Sequence, residues 1–81
     1  MREEVIRKAE AHLDGMVIFD RESVAIKENP STVEVGYKGT AIELPLTQSA
    51  TEDAARYLIG AAVFFDAQQA GRFLYNGSKI E

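Results

Sequence analysis

The 81-residue chain carries a single histidine, His12, the one side chain whose ordinary titration falls near neutral pH. A general base or a metal ligand needs partners within reach, and no His-Glu-x-x-His or comparable spacing surrounds it. His12 therefore reads as a structural residue at the apolar edge of a helix. Asp20 and Glu22 flank Arg21 in a short polar stretch that faintly resembles a cation loop. Hard cations need several oxygens converging from a defined loop, and adjacent residues supply few, so a solvated turn is the simpler reading. Ser23, Ser31, Ser49 and Ser78 lack a nucleophile-elbow context, and one histidine would have to serve whichever was used. No glycine-rich loop follows a strand in a phosphate-binding spacing. With no cysteine there is neither a thiol nucleophile nor a thiolate metal site. Catalytic, metal and cofactor residues are therefore all expected to be absent; a small enzyme or carrier would have to use a pocket near His12, Tyr37 and Tyr57.

The elements around these residues follow from hydrophobic period. Over 2–14, Val5, Ile6, Ala9, His12 and Leu13 recur at helical spacing and make one apolar stripe. Glu3 with Arg7 and Glu4 with Lys8 are i,i+4 pairs in the favourable order, and Gly15 offers a left-handed cap. From Met16 the period becomes two. Strands are expected at about 16–20, 23–28, 32–38 and 40–45, with Asp20-Arg21-Glu22 and Asn29-Pro30-Ser31 as breaks. Val33, Val35, Tyr37, Ile42 and Leu44 fall on one face, so the sheet should be covered on one side and wet on the other.

A long helix over about 50–70 begins at Ser49-Ala-Thr-Glu52, a capping-box pattern. One stripe, Ala54, Leu58, Ala61, Ala62 and Phe65, suits packing on the sheet, with Tyr57 and Phe64 beside it. A second, Ile59, Val63, Ala67, Ala70 and Leu74, runs along roughly the opposite side. One sheet cannot cover both. Either the first helix packs on Ile59 and Val63, or the stripe meets another chain. Gly60 inside this helix costs about 1 kcal/mol against Ala, which would be explained by a close-approaching backbone. The tail 72–81 contains Asn76-Gly77, which reads either as a hairpin turn or as the stop of the helix.

The chain is thus expected to be a single α+β domain of two layers. An antiparallel three- to four-stranded meander is flanked in sequence by an N-terminal and a long C-terminal helix packed on one face. Eighty-one residues bury a small core, with no disulfide to supplement it. The start, Met1 to Glu10, lacks the apolar segment of a secretory signal, and no apolar run approaches a bilayer's width, so a cytoplasmic location is expected. A formal charge of −4 disfavours nucleic acid and anionic membranes as direct partners. The element order invites comparison with double-stranded RNA-binding domains, but those need lysines where this helix opens Thr51-Glu52-Asp53.

What these exclusions leave is a non-catalytic acidic protein-binding module, or alternatively a homodimeric structural or regulatory subunit pairing through the C-terminal helix. The interface residues would be Ile59, Val63, Ala67 and Ala70, and the partner either a second copy or a host complex. In size, acidity and outline, with the runs Ser23-Val-Ala-Ile-Lys27, Thr32-Val-Glu-Val-Gly-Tyr37 and Ala54-Ala-Arg-Tyr-Leu58, the chain resembles the small inhibitors carried by phages, anti-CRISPR proteins among them. The likeness spans most of the chain and is one of architecture. It implies a target in host nucleoprotein machinery, met through Glu34, Glu43, Glu52 and Asp53 in place of phosphates; an ordinary solvated face is the alternative for those four.

Overall fold

Helix α1 (Arg2–Leu13) buries Val5, Ile6, Ala9 and Leu13, the residues its apolar spacing selects, while His12 is exposed. The computed structural model describes the backbone of residues 1–14 and 18–80 and the side chains of 1–14 and 18–68. After α1 a short 3₁₀ turn (Arg21–Ser23) leads into β1 (Val24–Glu28), β2 (Thr32–Tyr37) and β3 (Thr40–Pro45), followed by α2 (Ala50–Ile80). The architecture is α+β, and the three strands form an antiparallel meander in the order β1-β2-β3.

Three strands form, not four. Gly15, Met16 and Val17, and with them the expected cap at Gly15 and the start of a strand over 16–20, lie outside the described residues. Ile18 to Asp20 pair with no strand. The tertiary partners of this segment explain why. Phe19 stacks on the Tyr37 ring at 5.4 Å and 2°, and the Asp20 amide donates to the Tyr37 hydroxyl at 2.9 Å. The Asp20 amide is therefore engaged by a side chain and its carbonyl by the Ser23 amide of the 3₁₀ turn, so this residue is turned away from strand pairing. Asp20 caps that turn: its carboxylate accepts from the Glu22 amide (3.1 Å) and the Ser23 hydroxyl (2.7 Å).

The alternation in β2 and β3 sets the two faces. Val33, Val35 and Tyr37 are buried on the inner face, where β1 contributes Val24 and Ile26 and β3 contributes Ile42 and Leu44. On the outer face Ala25, Lys27, Glu34, Ala41 and Glu43 are exposed. Ile42, though inward by register, is 39% exposed, because β3 is an edge strand with no neighbour beyond it. The β2–β3 hairpin closes through Lys38 (φ 50°) and Gly39 (φ 90°), both left-handed as a tight two-residue hairpin turn requires.

Both helices cover the inner face. Ala50, Ala54, Ala55, Leu58 and Ala62 of α2 are buried in one core with the α1 stripe and the inner strand residues. Small residues on this side let the helix approach closely; Leu58 and the partly buried Phe65 fill the space between. The Phe65 ring lies 6.0 Å from that of Tyr37, and the Lys38 ammonium stands over both rings at 5.7 and 6.0 Å.

Two local expectations are replaced by neighbouring partners. The capping box between Ser49 and Glu52 does not form. The Ser49 hydroxyl instead donates to the Asp53 carboxylate at 3.2 Å, the Ser49 amide donates to the Thr47 hydroxyl at 3.3 Å, and the Asp53 amide donates to the Ser49 carbonyl at 2.9 Å. The partner of Ser49 is thus shifted by one residue, from Glu52 to Asp53, and both acidic residues complement the helix dipole. Glu3 pairs not with Arg7 but with Arg21, at 2.7 Å, while Arg2 donates to the Arg21 carbonyl at 3.2 Å. These exposed contacts tie the 3₁₀ turn to α1 and are each worth about 0–1 kcal/mol.

Candidate functional site

The second stripe of α2 divides along its length. Ile59 is partly buried and packs against the core, on the side where α1 meets α2. One turn on, Val63 is 42% exposed and Phe64 56%, and Ala67 is exposed as well. Ala70 lies outside the described side chains, as do Leu74 and the tail left open between hairpin and helix end, which the bounds of α2 take in. The first helix therefore covers the beginning of the stripe and leaves Val63 and Ala67 open.

Gly60 belongs to this open side. A β-carbon built on it would meet nothing within 4 Å, so among the described residues no backbone approaches there and the expected close contact is not made. Gly60, Val63, Phe64 and Ala67 fall at i, i+3, i+4 and i+7 and share one face. Phe64, which its position beside the sheet-facing stripe suggests as a flank of the core, is instead exposed on this surface, more so than Val63. The signal that could have placed it there is its spacing of one turn from the glycine.

The four acidic residues do not form one patch. Glu34 and Glu43 are direct cross-strand partners on the outer face of the sheet, opposite the helices, where Lys27 is also paired with Glu34 in register. Glu43 further accepts from the Thr32 hydroxyl at 2.9 Å. Glu52 and Asp53 lie in the first turn of α2, on the other layer; Asp53 holds Ser49 and pairs with Arg56 at 3.5 Å. A phosphate-like row running through all four is thus not assembled.

The residues considered for chemistry are also dispersed. Tyr37 is buried in the aromatic stack with Phe19 and Phe65, and Tyr57 donates to the Thr40 hydroxyl at 3.1 Å. His12 is exposed and lines a groove of ≈ 370 Å³ between the helices, together with Lys8, Glu52, Ala55, Arg56 and Ile59, and with neither tyrosine. Asp20 is spent on its turn. The hydroxyl of Ser23 and the amide of Glu22, with a smaller pull from Lys38, hold its carboxyl below the usual value. Among the described residues no group of three His, Asp or Glu side chains could hold a metal ion, and no helix is long and apolar enough to cross a membrane.

Compared with protein families, curated proteins and solved structures, the chain matches none. The molecule itself therefore defines only a class, an α+β domain with an open apolar helix face.

Proposed function

We propose that this chain is a non-catalytic protein-binding module that docks its partner through the outward face of α2. The observation that carries the reading is the exposure of Val63 and Phe64, 42% and 56%, side by side on a helix whose opposite face buries Ala54, Leu58 and Ala62. Contiguous apolar surface left open on a small domain usually marks an interaction site. Gly60 beneath it offers a place where a partner's side chain can seat against the helix backbone. The acidic balance of the chain and the absence of a converging catalytic set among the described residues support a role in binding.

The test is affinity capture with the wild type beside Val63→Gln/Phe64→Gln, a neutral change to good helix formers that leaves the partly buried Ile59 in place. A partner retained by wild type and lost by the folded variant is expected. Equal retention by both overturns the reading.

A second reading, a homodimer, is favoured by one observation. Gly60 and Phe64 are one turn apart on the same face, so an antiparallel two-fold pairing would set each Phe64 over the other chain's Gly60. It predicts a dimer mass by light scattering for the wild type and a monomer mass for the double variant; a wild-type monomer removes it.

A further inference from the structure

We propose that the groove between α1 and α2 seats an acidic, partly apolar segment of the protein partner, an inference that rests on the protein-binding reading above. The groove has an apolar floor, Ala55 and Ile59, and a charged rim with Lys8 and His12 on the α1 wall and Glu52 and Arg56 on the α2 wall. At ≈ 370 Å³ it lies at the lower end of the range of about 300–1,000 Å³ typical of ligand sites, enough for a few side chains of a bound segment.

Two features select the occupant. The first is charge. Lys8 and Arg56 against Glu52 leave the lining with one net positive charge, two minus one with His12 neutral, in a chain whose formal charge is −4. Among the described residues Lys8 has no carboxylate within 4 Å, and Arg56 has only the long 3.5 Å pair with Asp53, which lies outside the lining. The cations thus stand one on each wall, each available to an acidic side chain of the partner, while Glu52 is available to the partner's donors. The second is continuity. Ile59 is one turn from Val63, so the floor of the groove runs directly onto the open face of α2. A segment laid along α2 with apolar side chains on Val63 and Ile59 would carry its acidic side chains past Lys8 and Arg56, which is the helix-in-groove mode with a polarity imposed by the rim.

The experiment is selection from a displayed random peptide library on immobilised wild type and, in parallel, on Lys8→Glu/Arg56→Glu, with circular dichroism confirming that both are folded. Wild type is expected to enrich peptides that combine apolar residues at helical spacing with an excess of Asp and Glu. Their affinity should fall about tenfold on the charge-reversed protein, which should itself enrich basic peptides. Enriched peptides without acidic excess, or ones whose affinity is unchanged by the reversal, overturn the groove assignment. If those same peptides still lose binding to Val63→Gln/Phe64→Gln, the protein-binding reading stands without it. Acidic enrichment that octanoate alone competes away, with no requirement for the peptide's apolar spacing, would mean a free carboxylate site and also overturns the assignment. Absence of any enrichment overturns the groove assignment alone, since the protein-binding reading stands or falls on the capture comparison above.

Discussion

The two sides of α2 make opposite use of one helix. Its inner side is built from Ala50, Ala54, Ala55, Leu58 and Ala62, none more than 4% exposed, and bears on the sheet and on α1. Its outer side carries Gly60, Val63, Phe64 and Ala67, including two of the larger apolar side chains of the helix, all exposed among the described residues. The usual arrangement of an amphipathic helix, large residues inward and polar ones outward, is partly inverted. What the contrast teaches is that the inner side is fitted for closeness and the outer side for contact with something else. Substitutions on the two sides should therefore fail in different assays.

The largest expected effect lies inside. Leu58 is the bulkiest of the buried residues on the inner side of α2, and the others buried there are alanines that cannot expand into a void. Leu58→Ala should cost about 2–5 kcal/mol, read as a lower denaturant midpoint, and in a domain this small that is a large share of the total. A loss below about 1 kcal/mol would mean that the inner side is not the packed one and would dissolve the comparison.

Next come two positions in the β2–β3 hairpin, one in its turn and one in β2. Gly39 has φ 90°, where a side chain is strained even though nothing lies within 4 Å of its β-carbon position, so Gly39→Ala should cost about 1–2 kcal/mol by backbone conformation alone. Tyr37→Phe keeps the ring between Phe19 and Phe65 but removes the oxygen that accepts from the Asp20 amide at 2.9 Å, at a cost of about 1 kcal/mol. Amide exchange at Asp20 should quicken in this variant and not in Gly39→Ala, which separates loss of that bond from general destabilisation.

On the outer side the expected stability change is close to nothing. Val63→Gln/Phe64→Gln should leave the midpoint within about 0.5 kcal/mol of wild type while removing partner binding. A loss comparable to that of Leu58→Ala would show that Val63 and Phe64 belong to the core and would abolish the distinction between the two sides.

Much of this contrast is legible in the residues. Period-two alternation places Val33, Val35 and Tyr37 inward because a strand has only two faces, and the α1 stripe is readable because Val5, Ile6, Ala9 and Leu13 repeat at helical spacing. The two stripes of α2 are legible for the same reason; which of them stays open is not. That depends on how far α1 reaches along α2, a tertiary fact that divides Ile59 from Val63. The partners of Glu3 and Ser49 are hidden likewise. Arg21 is distant in sequence from Glu3, and Asp53 and Glu52 both lie within reach of Ser49, so local pattern alone does not choose between them. At 18–20, where no strand forms, the partner is likewise distant in sequence, since Tyr37 stacks on Phe19 and accepts from the Asp20 amide.

The smallest expected effect tests whether the segment before β1 is fixed by charge or only by shape. Asp20 accepts from the Ser23 hydroxyl and the Glu22 amide, and both bonds favour the ionised carboxylate, which lowers its pKa in the folded chain relative to the unfolded one. A carboxyl depressed on folding contributes stability that is present above its unfolded value, near pH 4, and is lost as pH falls through the lower folded value. Asp20→Asn preserves an acceptor for the same donors but cannot ionise. The stability difference between wild type and Asp20→Asn should accordingly be constant from neutrality down to about pH 5, then shrink on further acidification. A difference independent of pH across that window would show that the turn holds Asp20 by shape alone. The stacking of Phe19 on Tyr37 would then be what keeps residues 18–20 out of the sheet.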